Sequence, residues 1–115
     1  MGVTIYHNPR CSKSRQTLAL LQERGIQPTV VEYLQDPPTK AQLENILAML
    51  GLDARALMRK KEDAYHEQGL DNSALSQDAL VNAMIETPVL MERPIVVAQG
   101  KAAIGRPPEN VLSIL

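Results

Sequence analysis

The residues with the clearest capacity for chemistry surround Cys11, the only cysteine in this chain of 115 residues. Residues 7–15 read HNPRCSKSR, so Arg10 directly precedes the thiol and Arg15 follows it within the same short stretch. Neighbouring cations and hydroxyl groups stabilise a thiolate, which is the nucleophilic form of cysteine. A cysteine kept only for packing is more typical of apolar surroundings. The sequence therefore favours a reactive Cys11 over an inert, buried one.

Two side chains in the same stretch could assist a thiolate. Ser14 could donate a hydrogen bond to the sulfur or could simply mark the start of a helix. His7 could act as an acid or base or as an electrostatic aid, although a histidine that ends a strand is more often structural. Lowering a thiol pKa from ~8.5 to ~6.5 requires about 2.7 kcal/mol. One cation about 4 Å away, at an effective dielectric constant near 20, supplies roughly that amount.

Three further arginines could form a pocket for an oxyanion. Arg93 and Arg106 each stand beside a proline at the end of a predicted strand, whereas Arg59 taken alone suggests a solvated helix face. Guanidinium groups bind tetrahedral oxyanions through paired hydrogen bonds, which lysine cannot form. Three of them around one thiolate would suit phosphate or arsenate. A cysteine phosphatase is the other interpretation, but the arginine of its C-x5-R loop is replaced here by Thr17, so we reject it.

The elements that would position these residues begin with a βαβ unit. VTIY at residues 3–6 is a β-rich run, a helical pattern extends from Ser12 to about Arg24, and PTVVEYL at residues 28–34 predicts a second strand. The helical crossover implies parallel strands. Cys11 would then lie after the carboxyl end of a strand and at the N-terminus of a helix. Ligands and anions gather at such positions.

A helical segment follows the βαβ unit. Thr39 and Gln42 fit a capping box ahead of an amphipathic helix. Residues 53–70 predict one or two short helices, and Ser76 begins another helix that closes at Pro88. The middle of the chain is therefore predicted to be helical.

The last part of the chain predicts a hairpin. PIVV at residues 94–97 and KAAI at residues 101–104 form two strands joined across Gln99-Gly100, and PENVLSIL predicts a short final helix. The order βαβ, helices, ββα indicates an α/β fold with one mixed sheet and helices on both faces. We expect a single domain over residues 1–115, with a helical insertion over about residues 36–90.

Composition narrows the possible partners and locations. The absence of Trp and Phe counts against nucleic-acid modules that stack bases, and a net charge of −1 means that attraction for an anion must be local. We find no secretory signal and no apolar run of the roughly 20 residues that span a membrane. A single cysteine excludes an internal disulfide and a cysteine-built zinc site, and it suits a reducing compartment. We therefore expect a cytoplasmic protein without a metal, a nucleic-acid partner or a membrane anchor.

Several stretches together resemble the glutaredoxin-coupled arsenate reductases of bacteria. These stretches are YHNPRCSKSR, YLQDPPT, RALMRK, RPIVV and GRPPENVLSIL, and the similarity covers essentially the whole chain in order and spacing. The resemblance implies a thioredoxin-like fold with a helical insertion. It also implies that the Cys11 thiolate attacks arsenate, after which glutathione adds as a co-substrate and glutaredoxin completes the reduction. No bound cofactor is implied.

The resemblance also assigns roles to individual residues. Cys11 is the expected nucleophile, and His7 and Ser14 occupy accessory catalytic positions. The resemblance assigns oxyanion binding to Arg15, Arg59, Arg93 and Arg106. It places Pro94 where thioredoxin-like folds carry a cis-proline beside the active site. We therefore expect a cis Arg93–Pro94 peptide bond.

Two other functions remain open at this point. The chain could be a glutathione-linked thiol reductase that is not specific for arsenate. It could also be a redox regulator, although related regulators use a C-x-x-C pair, and Ser14 stands here in place of the second cysteine. With no second thiol in the chain, a reductase must obtain its other sulfur from an external molecule.

Overall fold

The structure, a computed structural model, describes residues 2–115. Within these residues there are four strands, five α-helices and two 3-10 helices. The strands are β1 (Val3–His7), β2 (Thr29–Glu32), β3 (Ile95–Ala98) and β4 (Lys101–Ile104); the helices are α1 (Ser12–Glu23), α2 (Lys40–Leu50), α3 (Ala54–Leu57), α4 (Asp63–Glu67) and α5 (Gln77–Glu86); 3-10 helices cover Pro88–Leu90 and Pro108–Ile114.

The four strands form one mixed sheet in the order β2-β1-β3-β4. Strands β1 and β2 are parallel, with Ile5 beside Val30, so the predicted βαβ unit is confirmed. Strands β1 and β3 are antiparallel, as are β3 and β4. At the tip of the β3–β4 hairpin Gln99 and Gly100 both have positive φ, 55° and 73°, as a two-residue type I′ turn requires. The predicted hairpin is therefore confirmed.

Two elements differ in detail from the sequence prediction. The second strand was expected over residues 28–34 but ends at Glu32, because the N–H groups of Gln35 and Asp36 both turn back to donate to the Glu32 carbonyl. The final helix is a 3-10 helix rather than an α-helix. Its N-terminal proline has no N–H to donate, which is tolerated at the first helical position.

The chain divides into two compact units, one made of the residues up to Asp36 together with Arg93–Leu115, and the other of Pro37–Glu92. The second unit covers nearly the same residues as the predicted insertion, while the single-domain organisation stays a prediction. In the first unit α1 and the C-terminal 3-10 helix pack on the sheet around a core of buried apolar side chains. That core contains Ile5, Leu21, Val96, Ala98, Val111 and Ile114.

The second unit is helical and is held by the amphipathic faces of α2 and α5. Helix α2 begins at Thr39 with the predicted capping box: the Thr39 hydroxyl accepts from the Gln42 N–H, and the Gln42 side chain accepts from the Thr39 N–H. The buried positions of the two helices are Leu43, Ile46, Leu47, Leu80, Val81, Ala83 and Met84. Within residues 2–115 the helices are all too short or too polar to cross a bilayer.

Candidate active site

Cys11 lies where the loop after β1 becomes helix α1. It is the N-cap residue of α1, with an extended backbone (φ −91°, ψ 124°), and its N–H donates to the Asn8 carbonyl at 3.0 Å. This turn holds the thiol at the end of the helix where the N–H groups of the first turn lack helical partners. The residue is 8% exposed, so the sulfur is largely shielded from solvent.

The surroundings of Cys11 lower the pKa of its thiol. Burial by itself raises that pKa, but the backbone N–H groups of Ser14 and Lys13 and the Arg93 guanidinium together outweigh it. The Cys11 side chain makes no capping hydrogen bond with an N–H group of the first turn of α1. The dipoles of these N–H groups and the positive charge of Arg93 nevertheless favour the thiolate. The direction of this effect agrees with the sequence prediction.

Arg106 brings a second guanidinium to the thiol. Its Nη2 donates to Cys11 Sγ at 3.6 Å, and its Nε donates to the Arg93 carbonyl at 2.8 Å. The second contact fixes the plane of the guanidinium relative to the end of the β3–β4 hairpin. Arg93 and Arg106, which are far from Cys11 in sequence, therefore converge on one sulfur.

Arg93 is followed by a cis peptide bond. The Arg93–Pro94 bond is cis, which is the conformation that the resemblance predicted. The Arg106–Pro107 bond is also cis, and the sequence analysis did not anticipate it. Both arginines thus stand directly before a cis proline.

His7 and Ser14 form a buried polar pair beside the nucleophile. His7 Nδ1 lies 2.6 Å from Ser14 Oγ, and the Asn8 N–H donates to the same oxygen at 3.0 Å. Burial lowers the pKa of His7, Arg15 lowers it further, and Glu32 opposes them. His7 is therefore neutral near pH 7. The hydroxyl of Ser14 serves His7 and Asn8, whereas its backbone N–H is the group that favours the Cys11 thiolate.

The two arginines nearest Cys11 in sequence have other contacts. Arg15 Nη1 donates to the Pro9 carbonyl at 2.9 Å, which ties the first turn of α1 to the preceding loop. The Arg10 N–H donates to Asn8 Oδ1 at 3.0 Å. Both side chains are exposed. A role for Arg15 in binding the oxyanion stays a prediction.

Arg59 belongs to the other compact unit. Its guanidinium is near Glu62 (3.8 Å) and Glu92 (3.7 Å), and its N–H donates to the Leu90 carbonyl at 2.7 Å. These contacts hold the turn after α3 against the segment that follows α5. The assignment of Arg59 to the oxyanion site therefore rests on the resemblance and stays a prediction.

Two buried residues near the site, Gly105 and Thr17, were not predicted from the sequence. Gly105 lies between β4 and Arg106, and its N–H donates to the Pro94 carbonyl at 2.9 Å. Thr17, in α1, is fully buried and lies against Gly105. The only signal in the sequence was a glycine directly before a candidate arginine at a strand end.

Comparison with known proteins gives consistent matches over the whole chain. The ArsC family model matches residues 6–114. YfgD, an uncharacterized protein of Escherichia coli (strain K12), is 60% identical over 98% of this chain and 96% of its own length. An arsenate reductase of Neisseria meningitidis serogroup A is 55% identical over 98% of this chain and 97% of its own. The solved structure of an arsenate reductase from Vibrio cholerae superposes with a TM-score of 0.97 at 56% identity, covering 100% of this chain and 98% of that one.

Proposed function

The chain belongs to the ArsC family, and from that premise we propose that it reduces arsenate to arsenite with the Cys11 thiolate as nucleophile. One observation carries the assignment of the nucleophile. The Arg106 guanidinium, held by the Arg93 carbonyl, donates to Cys11 Sγ at 3.6 Å. Such a contact stabilises a thiolate and also leaves positive charge where an oxyanion would arrive.

Anion capture depends on local charge. The chain as a whole carries a net charge of −1, so it does not attract arsenate at long range. Arg93 and Arg106 and the N-terminus of α1 supply the positive potential at the thiol. We include Arg59 and Arg15 as further ligands of the oxyanion on the strength of the family resemblance.

The first chemical step is attack of the thiolate on arsenic(V). A sulfur–arsenic bond forms, and one arsenate oxygen leaves as water after it accepts protons. The guanidinium groups offset the charge that remains on the other oxygens. His7, which is neutral, holds the Ser14 hydroxyl and thereby the first turn of α1 whose N–H groups favour the thiolate.

The reduction itself needs thiols from outside the chain. Arsenic(V) must gain two electrons, and each thiol that ends in a disulfide supplies one. Glutathione would add to arsenic with loss of a second water, and a glutaredoxin thiol would then attack the glutathione sulfur. The products are a mixed disulfide and arsenic(III) on Cys11, and hydrolysis releases arsenite and regenerates the thiol. The overall balance is arsenate plus two thiols giving arsenite, one disulfide and water. The single cysteine of the chain supports an external donor and a reducing, cytoplasmic location.

A coupled assay tests the proposal. The assay contains the wild-type protein, glutathione, glutaredoxin, glutathione reductase and NADPH. Glutathione reductase should consume NADPH only after arsenate is added. Cys11→Ser should reduce the rate to background. Arg106→Ala should lower kcat/KM by about 10²-fold, the usual cost of removing one donor to a developing oxyanion.

Arg24→Ala is the matched control for the arginine variant. Arg24 is exposed at the far end of α1, about 20 Å from Cys11 along the helix, and its removal should leave the rate unchanged. Arsenate turnover that survives Cys11→Ser would refute the proposal. Turnover of a glutathione mixed disulfide without any arsenate reduction would instead support the less specific thiol reductase.

A further inference from the structure

At Gly105 there is no space for a side chain. A β-carbon added there would lie 2.5 Å from Thr17 Oγ1, 3.0 Å from Thr17 Cγ2 and 2.9 Å from Pro94 Cγ. Real β-carbons essentially never come within 3.0 Å of such atoms. Gly105 does not have a positive φ, so the requirement for glycine is one of space and not of backbone conformation.

Thr17 cannot easily move away from this contact. It is fully buried, and its Oγ1 donates to the Lys13 carbonyl at 2.8 Å while lying 3.5 Å from the Gly105 carbonyl. Threonine has few χ1 rotamers in a helix. Its Oγ1 and Cγ2 both face Gly105, so an added methyl group must displace the backbone on one side or the other.

Both sides of the contact carry parts of the site. Arg106, the next residue after Gly105, donates to Cys11 Sγ. Lys13, whose carbonyl accepts from Thr17, belongs to the first turn of α1, which begins directly after Cys11. The Gly105–Thr17 contact therefore joins the segment that carries Arg106 to the helix that begins after Cys11.

We propose that the close contact between Gly105 and Thr17 is a positioning device that sets the distance between the Arg106 guanidinium and the Cys11 sulfur. Gly105 and Thr17 do not touch the reacting atoms; they act through Arg106 and α1. The inference takes from the proposed function only that Cys11 is the reacting thiol. It can be tested without arsenate.

The distance matters because a small retreat of the guanidinium would break its hydrogen bond to the sulfur. At 3.6 Å a donor to sulfur still forms a hydrogen bond, and a retreat of about 1 Å would replace it by a solvent-screened charge. An opposite charge at ~4–6 Å shifts a pKa by about one to three units. A displacement of this one cation should therefore raise the Cys11 pKa by about one unit.

The test is the pH dependence of Cys11 alkylation by iodoacetamide in Gly105→Ala. We expect the midpoint to rise by about one pH unit. Gly2→Ala is the matched control, because a β-carbon at Gly2 meets no heavy atom within 4 Å, and it should keep the wild-type midpoint. Adding Thr17→Ala to Gly105→Ala removes two of the three close contacts, so the double variant should recover most of the shift.

A second comparison separates positioning from a general disturbance of the fold. In an Arg106→Ala background the guanidinium is already gone, so Gly105→Ala should change the midpoint far less than in the wild type. Equal shifts in both backgrounds would contradict the inference, as would a folded Gly105→Ala variant with the wild-type midpoint. If Gly105→Ala alone does not fold, the double variant with Thr17→Ala must fold with a near-wild-type midpoint, and its failure would also overturn the inference. These results stand whether or not the protein reduces arsenate.

Discussion

The pKa of the Cys11 thiol is lowered by groups that are both near it and far from it in sequence, namely the backbone N–H groups of Ser14 and Lys13 and the Arg93 guanidinium. The sequence suggested Arg10 and Arg15 as neighbouring cations, but Arg15 donates to the Pro9 carbonyl, and Arg106 is the guanidinium that contacts the sulfur. The direction of the Cys11 pKa shift and the part played by the helix N-terminus were therefore predicted, whereas the two neighbouring arginines, Arg10 and Arg15, are not among its causes. Short-range sequence patterns reveal the helix N-terminus, whereas only the folded hairpin reveals which arginine arrives at the thiol.

His7 gives a pH dependence of stability that can be measured. Burial lowers the pKa of His7, Arg15 lowers it further and Glu32 partly offsets this, so the unfolded chain binds its proton at a higher pH than the folded chain. Stability from this group is fully present above the unfolded value of ~6.5 and is lost as the pH falls through the folded pKa. We expect the free energy of unfolding to decrease from pH 7 toward pH 5, and to decrease less in His7→Gln.

Urea denaturation at each pH measures this slope of stability against pH for the wild type and for His7→Gln. A His7→Gln variant with the wild-type slope would show that burial does not lower the pKa of His7.

At the scale of elements, local signals predicted most of what was found. Three predicted features depend on only a few adjacent residues, and all three are confirmed: the cap at Thr39, the helix start at Ser76 and the turn at Gln99-Gly100. The turn that shortens β2 depends on two N–H groups sharing one carbonyl, which residue types do not specify. The approach of Gly105 to Thr17 joins residues that are far apart in the chain, so no local pattern could predict it.

The capping box of α2 provides a prediction about this element. Thr39→Ala removes the acceptor for the Gln42 N–H and should lower the free energy of unfolding by about 1 kcal/mol. Thr39→Ser keeps the oxygen and should remain close to the wild type. Chemical denaturation of both variants measures the difference, and equal stabilities for the alanine and serine variants would contradict the role of the cap.

At the scale of the whole molecule, the predicted thioredoxin-like α/β fold is confirmed by the structure and by its solved relatives. Its antiparallel hairpin brings the residues before Pro94 and Pro107 to the end of β1 where α1 begins. Arg59 belongs to the second compact unit, where its N–H donates to the Leu90 carbonyl beside an antiparallel bridge between Met58 and Met91. These contacts fix its backbone within that unit, and its role as an oxyanion ligand stays a prediction from the family resemblance.

Because the chain has a single cysteine, the electrons that reduce arsenate should come from external thiols, and this can be tested. Protein and arsenate alone should give no arsenite, because a thiol that ends in a disulfide supplies one electron, arsenic(V) needs two, and the chain has one thiol. Adding glutathione and glutaredoxin should start arsenite release, with Cys11→Ser as the control that stays at background. Release of one arsenite per protein without any added thiol would contradict the need for an external donor.

All of the proposed chemistry requires that Cys11 be a thiolate near neutral pH under the influence of Arg93 and Arg106. The rate of Cys11 alkylation as a function of pH measures this in the wild-type protein. We expect a midpoint clearly below ~8.5, raised in Arg106→Ala and unchanged in Arg24→Ala. A wild-type midpoint at or above ~8.5 would show that the thiol is not activated and that this site cannot act as described.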